Sequence, residues 1–199
     1  MGCKRVGWSE GDVHSALLLS TELARFSGIK VAASVGPYGA ALADGSEYRG
    51  NYKVTFDGLK DFHRRRLEIL VDSKPDYLAI ETIPELREAQ AILEVIAEIG
   101  ADIPYWISFN CSSNQSISSG ELFSEAVEIV SQSKGAMAVG INCTAPHLIT
   151  PLLSNVKSDL PFIVYPNSGR KWDSETKTWQ GSESDSLYSF DLENWISLG

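Results

Sequence analysis

Five short apolar runs, each separated from the next by a helical pattern, constrain this chain more than any other feature. They span Lys30 to Val35, Tyr77 to Ile80, Tyr105 to Phe109, Ala136 to Ile141 and Phe162 to Tyr165. Each is too short for a helix and rich in β-branched or aromatic residues, which is the composition of a buried strand. Helical periodicity runs through Ser9 to Phe26, Thr55 to Asp72, Pro84 to Ile99, Glu121 to Ser133 and Pro146 to Val156, and Leu187 to Leu198 adds a last amphipathic piece. Ser9 and Thr144 are the expected N-caps, and Pro84 is expected to open its helix. Strands alternating with helices imply βαβ units and a parallel sheet, hence the α/β class. The later spacings are those of a barrel in which about 250 residues make eight βα units. No linker or low-complexity stretch divides the chain, so it reads as one domain or part of one.

Each run leaves on polar, glycine or proline chemistry at its C-terminal end. The exits are Gly36-Pro37-Tyr38-Gly39, Glu81-Thr82-Ile83-Pro84, Asn110-Cys111-Ser112, Asn142-Cys143-Thr144 and Pro166-Asn167-Ser168-Gly169. In parallel α/β folds the loops after the strands converge on the ligand site. Two connections are long. Residues 36–54 hold three tyrosines, and residues 166–186 hold Trp172 and Trp179. Loops of that length in a compact domain are functional or disordered, and the aromatic content favours a packed lid.

The formal net charge of −9 repels phosphate backbones and argues against nucleic acid as a partner. The basic cluster His63-Arg64-Arg65-Arg66 reads as a solvated helix face. No apolar stretch reaches the roughly 18 residues of a membrane span, and the opening residues do not read as a secretory signal. Three cysteines are too few for a disulfide framework and fit a reducing cytoplasm.

Cys143 stands at a strand exit and reads three ways: a buried inert thiol, a nucleophile with His147 as its base, or a zinc ligand. No Cys-x-x-Cys or His-x-x-x-His spacing supplies zinc partners, and Pro146 spoils a simple helical pairing with His147.

Ala33-Ser34-Val35-Gly36-Pro37-Tyr38-Gly39-Ala40, followed by Leu42-Ala43-Asp44-Gly45-Ser46-Glu47-Tyr48-Arg49-Gly50, resembles the signature loop of homocysteine S-methyltransferases. Ile80-Glu81-Thr82-Ile83-Pro84, Ser108-Phe109, Gly140-Ile141-Asn142-Cys143 and Tyr165-Pro166-Asn167-Ser168-Gly169 match further family segments in order. The resemblance covers residues 5 to 180 and is nearest the branch that uses S-methylmethionine or S-adenosylmethionine. It implies a (βα)8 TIM barrel, of which this chain would be about strands 3 to 7, a single incomplete homocysteine-binding domain over 1–199. It implies methyl transfer to homocysteine, giving methionine, with zinc held by three cysteines. The first of these maps to Cys143; the other two, a Cys-Cys pair after Gly-Gly, are not in this sequence. Arg170 also departs from the acidic residue common there. Impaired activity and weak zinc binding are therefore expected, or a non-catalytic remnant that associates with a full-length homologue. On the same resemblance Glu81 holds the homocysteine amino group. Tyr38 and Tyr48 face the sulfonium donor, and Asn142 and Asn167 fix loops and touch ligand. Read from the residues alone, Glu81 is also a helix N-terminal acid and the tyrosines are loop packing.

Overall fold

All five apolar runs become strands: β1 (Ala32–Val35), β2 (Tyr77–Ile83), β3 (Tyr105–Phe109), β4 (Ala136–Asn142) and β5 (Phe162–Tyr165). The structure is a computed structural model that describes residues 7–26, 28–168, 171–173, 176–180 and 190–199. The strands lie side by side in chain order, each parallel to the next. Strand order that never reverses is the order of a barrel arc, whereas a doubly wound sheet reverses at its ligand crevice.

Seven helices accompany them among the described residues: α1 (Glu10–Leu23), α2 (Tyr38–Leu42), α3 (Phe56–Asp72), α4 (Leu86–Glu98), α5 (Phe123–Ser131), α6 (Ile149–Ser154) and α7 (Leu192–Leu198). Ser9 caps α1 in a reciprocal capping box with Asp12, as its sequence predicts. Residues 187–189 of the expected last helix lie outside the described residues. No described helix is long and apolar enough to cross a membrane.

Strand alternation divides the sheet into two faces. Val35, Leu78, Ile80, Ile107, Phe109, Val139 and Ile141 are fully covered and pack with Leu67, Leu70, Ile92, Val95, Phe123, Val127 and Leu152 from the helices. Burying each such side chain stabilises the fold by about 1.5–3 kcal/mol. The opposite face carries Ser34, Ala79, Trp106, Ser108, Gly140, Asn142 and Tyr165, which the register sets beside one another: Ser34 by Ala79, Ala79 by Trp106, Ser108 by Gly140, and Asn142 by Tyr165.

Four local expectations are corrected. Pro84 does not begin α4; Glu85 is its N-cap residue, in extended conformation and without a side-chain cap bond. Thr144 caps nothing: its hydroxyl accepts from Cys111 N at 2.9 Å and donates to Asn142 O at 3.0 Å, and the next segment starts as a 3₁₀ turn, Pro146–Leu148, before α6. The cluster His63 to Arg66 is not a solvated face, because His63 is 0% exposed and lies on the α3 stripe with Leu59 and Leu67. Part of the long connection after β5 is regular: β6 (Lys171–Asp173) and β7 (Thr178–Gln180) form an antiparallel pair.

Candidate functional site

The polar groups of the open sheet face converge on Glu81. β2 outlasts its apolar run by three residues, and its register with β3 shifts between Ile80 and Ile83. Such an irregularity re-aims side chains, and Glu81 and Thr82 sit within it. Ser34 Oγ donates to Glu81 Oε1 at 2.5 Å, and the Tyr165 hydroxyl donates to Oε2 at 3.0 Å. Tyr165 in turn accepts from Trp106 Nε1 at 3.2 Å and contacts Ser108 Oγ at 2.6 Å. The Tyr165 proton is committed to Glu81, so Ser108 is the donor in that last contact. Burial raises the Tyr165 hydroxyl above its ordinary pKa and keeps it protonated for this role. The result is a carboxylate aimed by neutral donors from β1 and β5, with lone pairs left over for a cation.

Next to it, Thr82 and Cys143 face each other across the strand ends. Asn142 joins them: its Oδ1 accepts from Thr82 N at 2.8 Å, and its Nδ2 reaches Thr82 Oγ1 at 2.7 Å and Cys143 Sγ at 3.3 Å. Thr82 Oγ1 lies 3.5 Å from the same sulfur. Both residues have left-handed backbones, with φ 62° at Thr82 and 49° at Cys143. For a β-branched residue that conformation is a true outlier, and strain of this kind collects at functional sites. Asn142 is buried, and the thiol of Cys143 is partly open.

The residues named from sequence are therefore brought together in part. Glu81, Asn142 and Cys143 share the strand-end edge. Asn167 joins them through its backbone, donating to Thr144 O at 2.9 Å. Tyr38 lies with the aromatic packing of the 36–54 segment, its ring edge-on to Tyr52 and Phe62. Tyr48, on the 3₁₀ turn Ser46–Tyr48 that packs on β2, comes nearer. Its hydroxyl is raised first by burial and then by Cys143 and Glu47. His147 is exposed on its own turn, and no hydrogen bond joins it to Cys143, so the thiol–imidazole pair is not assembled. Cys111 is a buried thiol that burial pushes up to about 12. Cys3 and Arg170 lie outside the described residues. Sequence reading missed Ser34, Thr82, Ser108 and Tyr165. Three had a signal in the sequence: Ser34, Ser108 and Tyr165 are polar residues at alternate positions of otherwise apolar strands, whereas Thr82 is placed by the register shift within β2.

A zinc centre needs three or four protein ligands. Among the described residues no group of three or more His, Cys, Asp or Glu side chains is placed to hold a metal ion. Cys143 offers one thiol, and the hydrogen-bond donors around it suit a sulfur acceptor but are not ligands. The described residues do not make a zinc centre by themselves.

A family model described as homocysteine S-methyltransferase matches residues 9–199. The chain is 46% identical over 175 residues to homocysteine S-methyltransferase 1 of Arabidopsis thaliana, covering 85% of this chain and 54% of that protein. It is 44% identical over 178 residues to a selenocysteine Se-methyltransferase of Brassica oleracea var. italica, covering 86% and 51%. The metallated form of the homocysteine methyltransferase MmuM from Escherichia coli superposes with a TM-score of 0.83 at 32% identity, over 100% of this chain and 67% of that one. The chain thus spans about half the length of the curated relatives it matches.

Proposed function

The chain belongs to the homocysteine S-methyltransferase family, and from that premise we propose that its strand-end face holds homocysteine as the acceptor of a methyl group. The observation that carries this is Glu81, whose two oxygens are fixed by Ser34 and Tyr165 with acceptor capacity to spare. An α-ammonium meeting that carboxylate makes a charge-assisted bond, the strong kind. Homocysteine is short, so its sulfur then reaches the neighbouring Thr82–Asn142–Cys143 corner. Cys143 is our candidate for the chain's own thiolate ligand to zinc. Asn142 and Thr82 are its supports, and Asn167 holds the adjoining loop.

The donor is a sulfonium such as S-methylmethionine or S-adenosylmethionine. The acceptor sulfur attacks the methyl carbon, a new S–CH₃ bond forms, and the old one breaks with its electron pair passing to the donor sulfur. The donor leaves as a neutral thioether, the acceptor's thiol proton goes to solvent, and methionine is the product. The chain contributes orientation, which in well-placed reactants is worth several kcal/mol of barrier. Tyr48 is the aromatic we place beside the donor cation, because its 3₁₀ turn packs on β2 whereas Tyr38 is engaged in packing with Tyr52 and Phe62. The two free cysteines among the described residues suit a reducing cytoplasm.

A labelled-methyl assay tests this reading. With zinc, homocysteine and deuterated S-methylmethionine supplied, labelled methionine is expected at a low rate, because Cys143 is the one thiolate the described residues offer zinc at this site, and Glu81→Gln raises KM for homocysteine at least about tenfold. Homocysteine binding with no methionine formed would overturn transfer and leave acceptor binding as the chain's role.

A further inference from the structure

Residues 36–54 carry Tyr48 toward the site, and their backbone is held by charged side chains in addition to the apolar packing of Tyr38, Tyr52 and Val54 around Leu59 and Ala91. Five main-chain groups of this segment meet four ionisable side chains of α3 and α4. Glu88 Oε1 accepts from Tyr38 N at 2.5 Å, and Arg66 Nη2 donates to Gly36 O at 2.5 Å. Glu85 Oε2 accepts from Asn51 N at 2.6 Å. Arg87 Nη2 donates to Tyr52 O at 3.2 Å and to Val54 O at 2.9 Å. The acids are deeply placed, Glu85 3% and Glu88 0% exposed.

Glu88 is itself fixed. Its Oε1 also contacts His63 Nε2 at 2.8 Å, while Arg66 Nη2 approaches His63 Nδ1 at 2.8 Å. Arginine only donates, so Nδ1 is the acceptor and Nε2 carries the proton that goes to Glu88. Burial and the guanidinium both hold His63 neutral. The fit is close as well. At Gly50, φ 66°, a Cβ would lie 3.2 Å from Glu85 Oε2, and at Gly39 it would lie 2.4 Å from Glu47 N. The segment's tip is tied to the exit of β3 by Asn110 Nδ2, which donates to Glu47 O at 3.1 Å.

We propose that Glu85 and Glu88, with Arg66 and Arg87, are positioning residues that clamp the 36–54 segment as a preformed wall and so set the turn that bears Tyr48 on the end of β2, next to the Thr82–Cys143 corner. Glu85 is the α4 N-cap residue, yet its carboxylate serves Asn51 rather than its own helix. The four residues touch neither reacting group; they act through the backbone they hold. This assignment rests on the functional reading of Cys143 and Tyr48, and its test needs neither homocysteine nor a methyl donor.

Hydrogen exchange by mass spectrometry on the 199-residue chain reads the clamp directly. In Glu88→Ala and in Glu85→Ala, amides of 36–54 are expected to exchange at least about tenfold faster while β2 to β4 keep their protection. Glu88→Gln keeps the acceptor oxygen and is expected to stay within about threefold of the parent. Alkylation of Cys143 by iodoacetamide, mapped by peptide, is expected to rise at least about fivefold in Glu88→Ala and not in Glu88→Gln. Should an alanine variant fail to fold, Arg87→Gln replaces it, since that side chain is 42% exposed; its loosening should centre on residues 50–54. Folded variants with unchanged 36–54 exchange, or with equal acceleration in strands and segment, would overturn the clamp. A failed methyl-transfer assay would leave these readouts standing.

Discussion

At the scale of single residues, the helix stripes of α3 and α4 each contain one ionisable group where an apolar one would be ordinary. His63 sits between Leu59 and Leu67, and Glu88 lies one turn before Ile92. Their spacing was legible: a residue four positions from two buried leucines is on the buried face whatever its chemistry. A solvated face does not follow from four consecutive charged residues, because a helix turns successive positions to different sides and puts His63 inside while Arg65 stays exposed. Arg64 and Arg65 do face outward, pairing with Glu98 and Glu10. Burial pushes the Glu88 carboxyl up from its ordinary 4.5 to about 7. A carboxyl whose folded pKa lies above its unfolded one contributes its stability in full below pH 4.5 and loses it as pH rises through about 7. The displacement is worth on the order of 3 kcal/mol. The stability of the parent chain minus that of Glu88→Gln, from urea titrations, should fall by up to about 3 kcal/mol between pH 4.5 and 8. A difference flat in pH would contradict the buried-carboxyl reading.

Among elements, the strands were the most legible part, because a run of β-branched residues bounded by turn chemistry leaves few alternatives. β3 and β5 match their expected limits, and β4 gains only Asn142. β2 was read short because Glu81 and Thr82 break the apolar pattern while remaining in the strand. The polar pair we propose for the site hides the element's true end, as expected where local rules yield to a site. The start of α6 was misread for a related reason: Thr144 is a preferred cap by type, but its hydroxyl is committed across the sheet ends to Cys111. Within β4, Gly140 opposes Ile163, and a Cβ there would fall 1.8 Å from Ile163 O. Backbone cannot yield as a flexible side chain can. Gly140→Ala is expected to cost about 3 kcal/mol in chemical denaturation, by forcing β4 and β5 apart. A loss under about 1 kcal/mol would mean that the strands part without strain.

Taken whole, the molecule is an arc of five parallel strands with helices packed on one face and a polar cluster on the other. The family and the parallel topology were readable from motifs in order along the chain. The hydrogen bonds that aim Glu81 were not, since Ser34 and Tyr165 lie 131 residues apart in sequence and meet only through the register of five strands. Nor was the charge clamp, whose parts come from three separate segments. On the proposed reading, Glu81 receives the ammonium of homocysteine on this face. Calorimetric titration of L-homocysteine into the parent chain and into Glu81→Gln checks that contact. Removing the charge from an ammonium contact of this kind should weaken binding about 10- to 100-fold, since hydrogen bonds to charged groups carry about 1.5–3 kcal/mol. Equal affinity of both chains for homocysteine would contradict it.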